Sequence, residues 1–323
     1  MRVFLAGATG DVGRPLTRAL VAAGHQVTGM THRPDRRAML ESLGATPAMA
    51  DALDGPAVRR AVADSRPEAV IDVLTALPRS GPLRSSHLRA TNRIRARGSP
   101  ILIDAARRAG ARRLVSESIV YAYGYGDLGP EPITEQHPLY PPGGGIPSAI
   151  EAMRIKEQGT LTAEGLEGIV LRYGAFYGPD VGSTRFMIRA ARRRMLALPG
   201  GGRGVVSWVH VEDAAAATVA ALERGRSGEA YNVVDDVPAS FREFADELTR
   251  VLGLPRPWSV PAWAARPFAS YAADFMARTR VRASNRKARE ELGWGPAFPT
   301  YREGLAQVAA EIRGRTTGRS APS

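Results

Sequence analysis

The stretch VFLAGATGDVG, residues 3–13, decides the fold. Four apolar residues run directly into Gly7, Gly10 and Gly13, and a helical pattern continues to Ala23 before Gly24 ends it. After a strand, such glycines allow a tight turn, close approach of the backbone to a ligand, and close packing of helix on strand. The N-terminus of the helix then faces an anion, so we expect this loop to hold a diphosphate.

Strands and helices alternate beyond this loop, which is typical of parallel strands joined by crossover helices. The predicted strands are 3–6, 27–30, one ending near Ala50, 70–74, 113–116, 169–173 and 205–209. A long helical stretch at 86–109 should kink near Pro100, and the Gly- and Pro-rich stretch 124–147 should be a loop. The pattern predicts an α/β fold with a doubly wound parallel sheet of the Rossmann type.

A second, smaller and mostly helical domain is expected to bind the substrate, because residues 236–314 are mainly helical in pattern, with Pro-rich breaks at 255–267. The predicted division assigns 1–174 and 205–235 to the nucleotide domain, 175–204 and 236–314 to the substrate domain, and 315–323 to a flexible tail.

The end of the second strand predicts which dinucleotide is bound. A carboxylate there would bind the ribose hydroxyls of NAD, whereas this chain has Thr31, His32 and Arg33, followed by Arg36 and Arg37. Guanidinium groups favour a phosphate on the ribose. Because no acid stands at the end of this strand, the sequence predicts that the cofactor is NADP(H).

Composition excludes several other classes of protein. The 323 residues are 44% hydrophobic and 24% charged and contain no cysteine, which excludes thiol chemistry, disulfides and thiolate metal sites. The five histidines form no close pair, so no metal is expected.

The net charge of +12 comes from scattered arginines, and this scatter does not favour a nucleic-acid partner. No membrane partner is expected, since no apolar run is long enough to span a bilayer. The N-terminus has the pattern of a core strand and not of a leader, so we expect a cytoplasmic protein.

Several further motifs resemble one family, the extended short-chain dehydrogenase/reductases of the epimerase/dehydratase branch. They are DALD at 51–54, Asn92, RYGAFYGP at 172–179, WVHVEDAAAA at 208–217, YNVVDD at 231–236 and ELGWGPAFPTYREGL at 291–305. The resemblance covers nearly the whole chain and implies a cleft between a nucleotide domain and a C-terminal substrate domain.

The resemblance also assigns residues to the cofactor and the substrate. The expected cofactor contacts are Gly7, Ala8, Thr9, Gly10, Asp11, Val12, Gly13, Thr31, His32, Arg33, Arg37, Asp51, Ala52, Leu74, Thr75, Ala76, Ser116, Tyr173, Ala175 and Phe176. Among these, the resemblance implies Asp51 and Ala52 near adenine. It implies Leu74, Thr75 and Ala76 near the cofactor ribose, and Tyr173, Ala175 and Phe176 near nicotinamide. The side chain of Asp11 should cap the amides of its own helix. Ser118 is the expected catalytic residue, because the family keeps a serine or threonine there to hydrogen-bond the carbonyl.

The chain departs from the family at the proton donor. The family protonates the alkoxide with a tyrosine whose pKa is lowered by a lysine four residues later. Counting back from Glu157, these two positions are Ala149 and Met153, and neither side chain moves a proton. Lys156 does not restore the pair, because Ala152 stands four residues before it.

Other polar and apolar residues have both a functional and a structural interpretation. Tyr121 or Tyr123 could donate a proton from the loop, or could pack; Thr75 could contact the carbonyl or the ribose. His210, Asp213 and Asp72 are expected to be structural. Leu77, Phe176, Met187 and Trp208 could line an apolar pocket or belong to the core.

Three functions remain open from the sequence. The first is an NADPH-dependent ketoreductase acting on a bulky aromatic polyketide, such as an angucyclinone-like ketone of antibiotic biosynthesis, whose own phenol supplies the proton. The second is a non-catalytic NADP-binding regulator resembling the NmrA-like proteins. The third is a nucleotide-sugar epimerase or dehydratase with a relocated base. Arg89, Arg93 and Arg97 should charge one face of the long helix, so either a monomer or a homodimer is expected.

Overall fold

The computed structural model describes residues 1–139 and 147–318. Its strands, in chain order, are β1 Arg2–Ala6, β2 Gln26–Thr31, β3 Thr46–Met49, β4 Ala69–Asp72, β5 Arg113–Ile119, β6 Glu167–Tyr173, β7 Ala175–Tyr177, β8 Ala197–Pro199, β9 Val205–Val206, β10 Trp208–His210, β11 Glu229–Val233, β12 Ala239–Ser240 and β13 Trp258–Val260. The α-helices are α1 Gly13–Ala22, α2 Arg37–Ser42, α3 Gly55–Ser65, α4 Arg89–Arg93, α5 Ser99–Arg108, α6 Pro147–Leu161, α7 Gly182–Arg192, α8 Val211–Arg224, α9 Phe241–Val251, α10 Ala262–Arg278, α11 Arg286–Leu292 and α12 Tyr301–Gly318.

A seven-stranded sheet in the order β11-β6-β5-β4-β1-β2-β3 forms the centre of the fold. All six pairings in it are parallel. The strand order reverses between β1 and β4, so the carboxyl ends of these strands open the crevice in which doubly wound folds bind ligands. This confirms the predicted fold class.

Helices cover both faces of the sheet, as buried apolar strands require. Leu16 and Leu20 of α1 pack with Ala214 of α8 in one apolar cluster. On the opposite face, Val58 of α3 packs with Leu102 of α5. A third cluster joins β10 to α9 and α12, and forms the core of the mainly helical C-terminal region.

The long helical stretch is interrupted where the sequence predicted a kink. Between α4 and α5 lies a π-helical segment, Ile94–Gly98, and Pro100 follows at the start of α5. Proline lacks the amide that would continue the α-helical ladder, and a π-bulge is one way to accommodate this. Arg89, Arg93 and Arg97 are exposed, as expected, along this stretch.

The structure differs from the sequence-based expectations at several boundaries. The strand predicted at 205–209 is two strands, with Ser207 between them: β9 pairs with β12, while β10 pairs with β7. The two- and three-residue strands β7, β8, β12 and β13 are too short to show a period and were missed. Helix α12 continues through Gly318, beyond Arg315, the residue at which the tail was predicted to begin. The predicted loop is irregular over 124–139, whereas 140–146 and 319–323 lie outside the described residues.

Candidate functional site

The glycine loop has no room for side chains at its first and last glycines. Gly7 has a φ of +94°, and a Cβ there would lie 2.7 Å from the carbonyl oxygen of Val73. A Cβ on Gly13 would lie 2.0 Å from the carbonyl oxygen of Gly7. Gly10 donates its N–H to Gly7 and is exposed. The cradle after β1 therefore fits a diphosphate approached by backbone groups at the start of α1.

Asp11 does not cap its own helix, contrary to the sequence-based expectation. The N-cap of α1 is Val12, with no side-chain cap. The carboxylate of Asp11 accepts a hydrogen bond from the N–H of Gly182 at 2.7 Å. Gly182 is the first residue of α7 and lies 171 positions further along the chain. The acid therefore ties the glycine loop to the region beyond β6.

The positive charges after β2 are less free than the sequence indicated. Arg33 donates two hydrogen bonds to the carboxylate of Asp35, at 3.1 and 2.8 Å, and this carboxylate raises the pKa of Arg33. No acid stands at the end of β2 itself, but Asp35, in the 3-10 turn that follows, takes up the guanidinium of Arg33. The pair is about half exposed, 52% and 58%, so it holds little energy and can exchange partners. His32 and Arg37 are exposed beside it, and the Thr31 hydroxyl accepts the N–H of Arg33.

The expected adenine and ribose residues lie in turns after β3 and β4. Asp51 is exposed, and its carboxylate accepts the N–H of Leu53 at 2.8 Å. The N–H of Leu74 donates to Asp72, and that of Ala76 donates to the Thr91 hydroxyl. Ala52 is buried, while Thr75 is exposed between its two anchored neighbours. These turns follow strands on both sides of the switch point.

The end of β5 does not present its serines to open space. Ser116 accepts a hydrogen bond from Thr160 of α6 at 2.8 Å. Ser118 is 2% exposed and donates its proton to the carboxylate of Glu157, which also pairs with Arg172 at 2.8 Å. This differs from the expectation that the Ser118 hydroxyl faces a carbonyl, because its only proton is already donated.

The residues after β6 are divided between core and surface. Tyr173 is fully buried and its hydroxyl bonds Thr218 at 2.7 Å, so its ring belongs to the core and only its backbone reaches the strand end. Ala175 and Phe176 are partly buried, and the ring of Phe176 packs against that of Tyr173 at 5.2 Å.

A buried ion cluster, which the sequence did not reveal, joins β4, β5 and α6. The Lys156 ammonium lies 3.2 Å from the carboxylate of Asp72 and 3.1 Å from that of Glu117. Arg95, on the π-helical segment, lies 2.8 Å from the other oxygen of Glu117, and Ser99 donates to Asp72 at 2.7 Å. Desolvation raises the pKa of Glu117, but the two cations outweigh it and leave that pKa below its usual range. The ammonium of Lys156 is thereby fixed between two buried carboxylates.

A second unforeseen feature is an aromatic group that we call the tyrosine cluster: Tyr121, Tyr125 and Tyr271, packed around Phe275 of α10. The rings of Tyr121 and Tyr125 stack at 6.1 Å, and Tyr271 lies 5.5 Å from Phe275. Burial raises the pKa of all three hydroxyls, so all three stay protonated at neutral pH. The buried Tyr121 hydroxyl has no hydrogen-bond partner within the described residues.

Tyr123, the other tyrosine considered as a proton donor, faces a different environment. Its hydroxyl donates to Asn232 at 2.8 Å and accepts from Arg172 at 2.9 Å. Burial, partly offset by Arg172, raises its pKa to about 12. It belongs to the packing between β5, β6 and β11.

His210 and Asp213, which were expected to be structural, hold backbone groups in place, and two candidate pocket residues are divided between core and surface. His210 is fully buried, its Nδ1 accepts the N–H of Glu212, and desolvation lowers its pKa to about 4. Asp213 accepts two backbone N–H groups from 297–298. Trp208, considered as a pocket residue, stacks on Phe244 at 3.8 Å in the core. Leu77 is 43% exposed.

Two kinds of site are not found in the part of the chain that the structure describes. No group of three or more histidine, aspartate or glutamate side chains there is arranged to hold a metal ion. Over the same residues, no helix has the length and apolar character to cross a membrane.

The fold and the glycine cradle fit a protein that binds a dinucleotide, and comparison with known proteins gives its family. The NAD dependent epimerase/dehydratase family matches residues 3–234, and this chain belongs to it.

Relatives with reductase names extend the comparison. A 3-diazoavenalumate denitrifying reductase from a Streptomyces species is 39% identical over 311 residues, covering 95% of this chain and 100% of that protein. A 4-hydroxy-2-methyl-3-oxo-4-farnesyl-3,4-dihydroquinoline-1-oxide ketoreductase from Stigmatella aurantiaca is 29% identical over 336 residues, covering 94% and 95%. Among solved structures, the UDP-glucose 4-epimerase of Thermus thermophilus in complex with NAD shares the fold, with a TM-score of 0.79, 22% identity and coverage of 97% and 99%.

Proposed function

We propose that this protein is an NADPH-dependent reductase that acts on an aromatic acceptor, and that the acceptor supplies any proton the reaction needs. The observation that carries the proposal is that α6 lacks the tyrosine–lysine pair that would supply a proton. Neither of the two lysines in the chain, Lys156 and Lys287, follows a tyrosine by four residues. The positions Ala149 and Met153 are buried on this helix, and Lys156 is paired with two carboxylates.

The cofactor contacts are proposed as follows. Backbone groups of Gly7 to Gly13 hold the diphosphate, with Asp11 contributing through its backbone while its side chain holds α7. The remaining contacts are Thr31, His32, Arg33 and Arg37 at the ribose phosphate, Asp51 and Ala52 at adenine, Leu74, Thr75 and Ala76 at the second ribose, and Ser116, Tyr173, Ala175 and Phe176 at nicotinamide.

The preference for NADPH over NADH rests on Arg33. Its hydrogen bonds to Asp35 are exposed and therefore exchange readily with a stronger acceptor. A dianionic phosphate is such an acceptor, because it carries more charge than a carboxylate and offers three acceptor oxygens to the guanidinium fork. Asp35 then holds the guanidinium in place until the phosphate arrives.

When bound, NADPH supplies a hydride, and a ketone that takes it at carbon needs one proton at oxygen to become an alcohol. In an aromatic polyketide such as an angucyclinone-like ketone, a phenol hydrogen-bonded to the ketone can give this proton, since a phenol has a pKa of about 10, as free tyrosine does. Ser118 would hydrogen-bond the acceptor's oxygen after leaving Glu157. We propose that this reduction is a cytoplasmic step of antibiotic biosynthesis.

A second acceptor class is favoured by the relative that is 39% identical over nearly the whole chain. An aromatic diazo group that accepts a hydride leaves as dinitrogen, and the ring keeps hydrogen in its place. No alkoxide forms, so this reaction also makes no demand on a tyrosine. A helix α6 without a tyrosine–lysine pair therefore fits both acceptors.

The test is anaerobic oxidation of NADPH with three acceptors: an aromatic ketone beside a phenol, the methyl ether of that compound, and an ortho-hydroxy aromatic diazo compound. A ketoreductase oxidises NADPH with the first and fails with the second. A diazo reductase oxidises NADPH with the third and releases dinitrogen in equal amount.

Two outcomes would refute the proposal. NADPH binding by fluorescence without oxidation by any of the three acceptors would indicate the non-catalytic regulator. Conversion of a nucleotide sugar without net use of NADPH would indicate the epimerase or dehydratase. Ser118→Ala should lower kcat only modestly in an active reductase. An equal loss with every acceptor would indicate that Ser118 orients the acceptor and does not supply the proton.

A further inference from the structure

The tyrosine cluster lies where the end of β5 meets α10. Tyr121 belongs to the short 3-10 turn directly after β5, and its ring meets that of Phe275 edge to face at 4.9 Å. Tyr125 is on the same loop, and its ring lies 6.1 Å from that of Tyr271. The cluster therefore stands at the carboxyl edge of the sheet, the edge at which doubly wound folds bind their substrates.

The Tyr121 hydroxyl is buried without a hydrogen-bond partner in the described part of the chain, as is the hydroxyl of Tyr177 in the core. Tyr121 is 7% exposed, and its hydroxyl oxygen has essentially no contact with solvent. Buried polar groups nearly always have partners, because an unpartnered one destabilises the fold. A phenylalanine would fill the same space without this cost, so packing alone does not account for the hydroxyl.

The Arg95 side chain, which is ion-paired with Glu117, lies close enough to the cluster to act on it. The Arg95 guanidinium acts on Tyr125 and Tyr271, lowering the pKa of both against the effect of burial. Its position is fixed by Glu117 at 2.8 Å, and Glu117 is fixed in turn by Lys156. The π-helical segment that carries Arg95 is a type of distortion found frequently at functional sites.

We propose that the tyrosine cluster, with Arg95 beside it, is a subsite that binds an acidic oxygen on the aromatic substrate. Phenolic O–H donors and a guanidinium favour an anionic oxygen, and the rings offer an aromatic substrate faces and edges to pack against. A phenol and a carboxylate share this chemistry. The inference rests on the proposed function for its aromatic acceptor, and it adds which part of that acceptor the protein grips and with which residues.

Binding of 4-nitrophenol to the full-length protein tests the subsite without turnover, because the phenolate form of this probe absorbs visible light. Donors that favour the anion lower the pKa of the bound phenol, so the spectrum should shift towards phenolate on binding. Tyr121→Phe should raise the Kd about tenfold, the loss expected for one hydrogen bond to a charged group. The neutral probe 4-nitroanisole should bind equally well to both proteins, and 4-nitrobenzoate shows whether a carboxylate is accepted in place of a phenol.

Controls separate binding from folding. Tyr301→Phe removes a hydroxyl from another buried tyrosine, packed against Phe244 of α9, and should leave the nitrophenol titration unchanged. Tyr121→Phe should not lower the unfolding midpoint, since it removes an unpartnered group. Tyr125→Phe should weaken nitrophenol binding in the same direction, because the Tyr271 hydroxyl already donates to Tyr125 and leaves the Tyr125 proton free.

The inference is overturned if neither acidic probe binds, or if both bind equally well to the wild type and to Tyr121→Phe. Its failure is distinguishable from failure of the proposed function. NADPH oxidation by a ketone or diazo acceptor with no effect of Tyr121→Phe on binding removes only the subsite. Probe binding that depends on Tyr121, without NADPH oxidation by any acceptor, removes only the reductase.

Discussion

Removing the ammonium of Lys156 should lower the free energy of unfolding more than any substitution on the nearby surface. The side chain is 1% exposed and lies between the carboxylates of Asp72 and Glu117, themselves 2% and 4% exposed. Arg95 still neutralises Glu117 in Lys156→Met, but Asp72 keeps only the Ser99 hydroxyl and a backbone N–H. Methionine has a similar volume, so the change leaves one buried charge uncompensated with little loss of packing. Such a loss costs about 3–5 kcal/mol.

Urea denaturation followed by circular dichroism measures this cost, and the other lysine provides the control. Lys287 pairs with Glu229 at 2.6 Å but is 23% exposed, so Lys287→Met should cost no more than about 1 kcal/mol. A Lys156→Met variant within about 1 kcal/mol of the wild type would refute the reasoning. Unchanged stability combined with complete loss of turnover would instead make Lys156 catalytic.

The remaining predictions concern the cofactor loop, the ribose phosphate and one buried acid. Gly13→Ala should abolish NADPH binding by calorimetry, because its Cβ would lie 2.0 Å from the Gly7 oxygen; measurable binding would contradict the cradle. Arg33→Ala should raise the Kd for NADPH at least about tenfold with little effect on NADH, whereas Asp35→Asn should lower it; equal effects on both cofactors would rule out a phosphate contact. Burial raises the pKa of Asp235 to about 9, above its unfolded value, so the folded state holds an extra proton and loses stability as the pH rises from about 4 to about 9. Asp235→Asn should therefore match the wild type in urea melts near pH 4 and exceed it near pH 8; parallel profiles would contradict this.

The sequence predicted the sheet because the evidence for it is local. Apolar runs followed by glycine turns mark each strand and the helix after it, and the glycine loop places β1 and α1 without knowledge of any distant residue. The π-helical segment also had a local cause in Pro100. The short strands β7 and β8 did not, because three residues cannot show a period and their pairing partners lie far along the chain.

The site was harder to predict because its decisive contacts are long-range. Nothing near Asp11 in the sequence indicates that it accepts from Gly182, and Lys156 reaches Asp72 across 84 positions. Ser118 was expected to face a carbonyl, yet the adjacent helix supplies Glu157, whose carboxylate accepts the hydrogen bond of the Ser118 hydroxyl. The Arg33–Asp35 pair could have been anticipated, since an arginine and an aspartate two residues apart on an exposed turn readily meet.

The hydrogen bond from Gly182 to Asp11 limits how this chain can be recombined with its relatives. A chimera that takes its first half from one parent and α7 from another keeps this joint only if the acid and a matching helix start come together. A donor half without the acid leaves the first amide of α7 without its acceptor, and the helix loses its anchor on the dinucleotide loop. Crossover points for engineering therefore lie better after α7 than at the boundary before β7 that was predicted from the sequence.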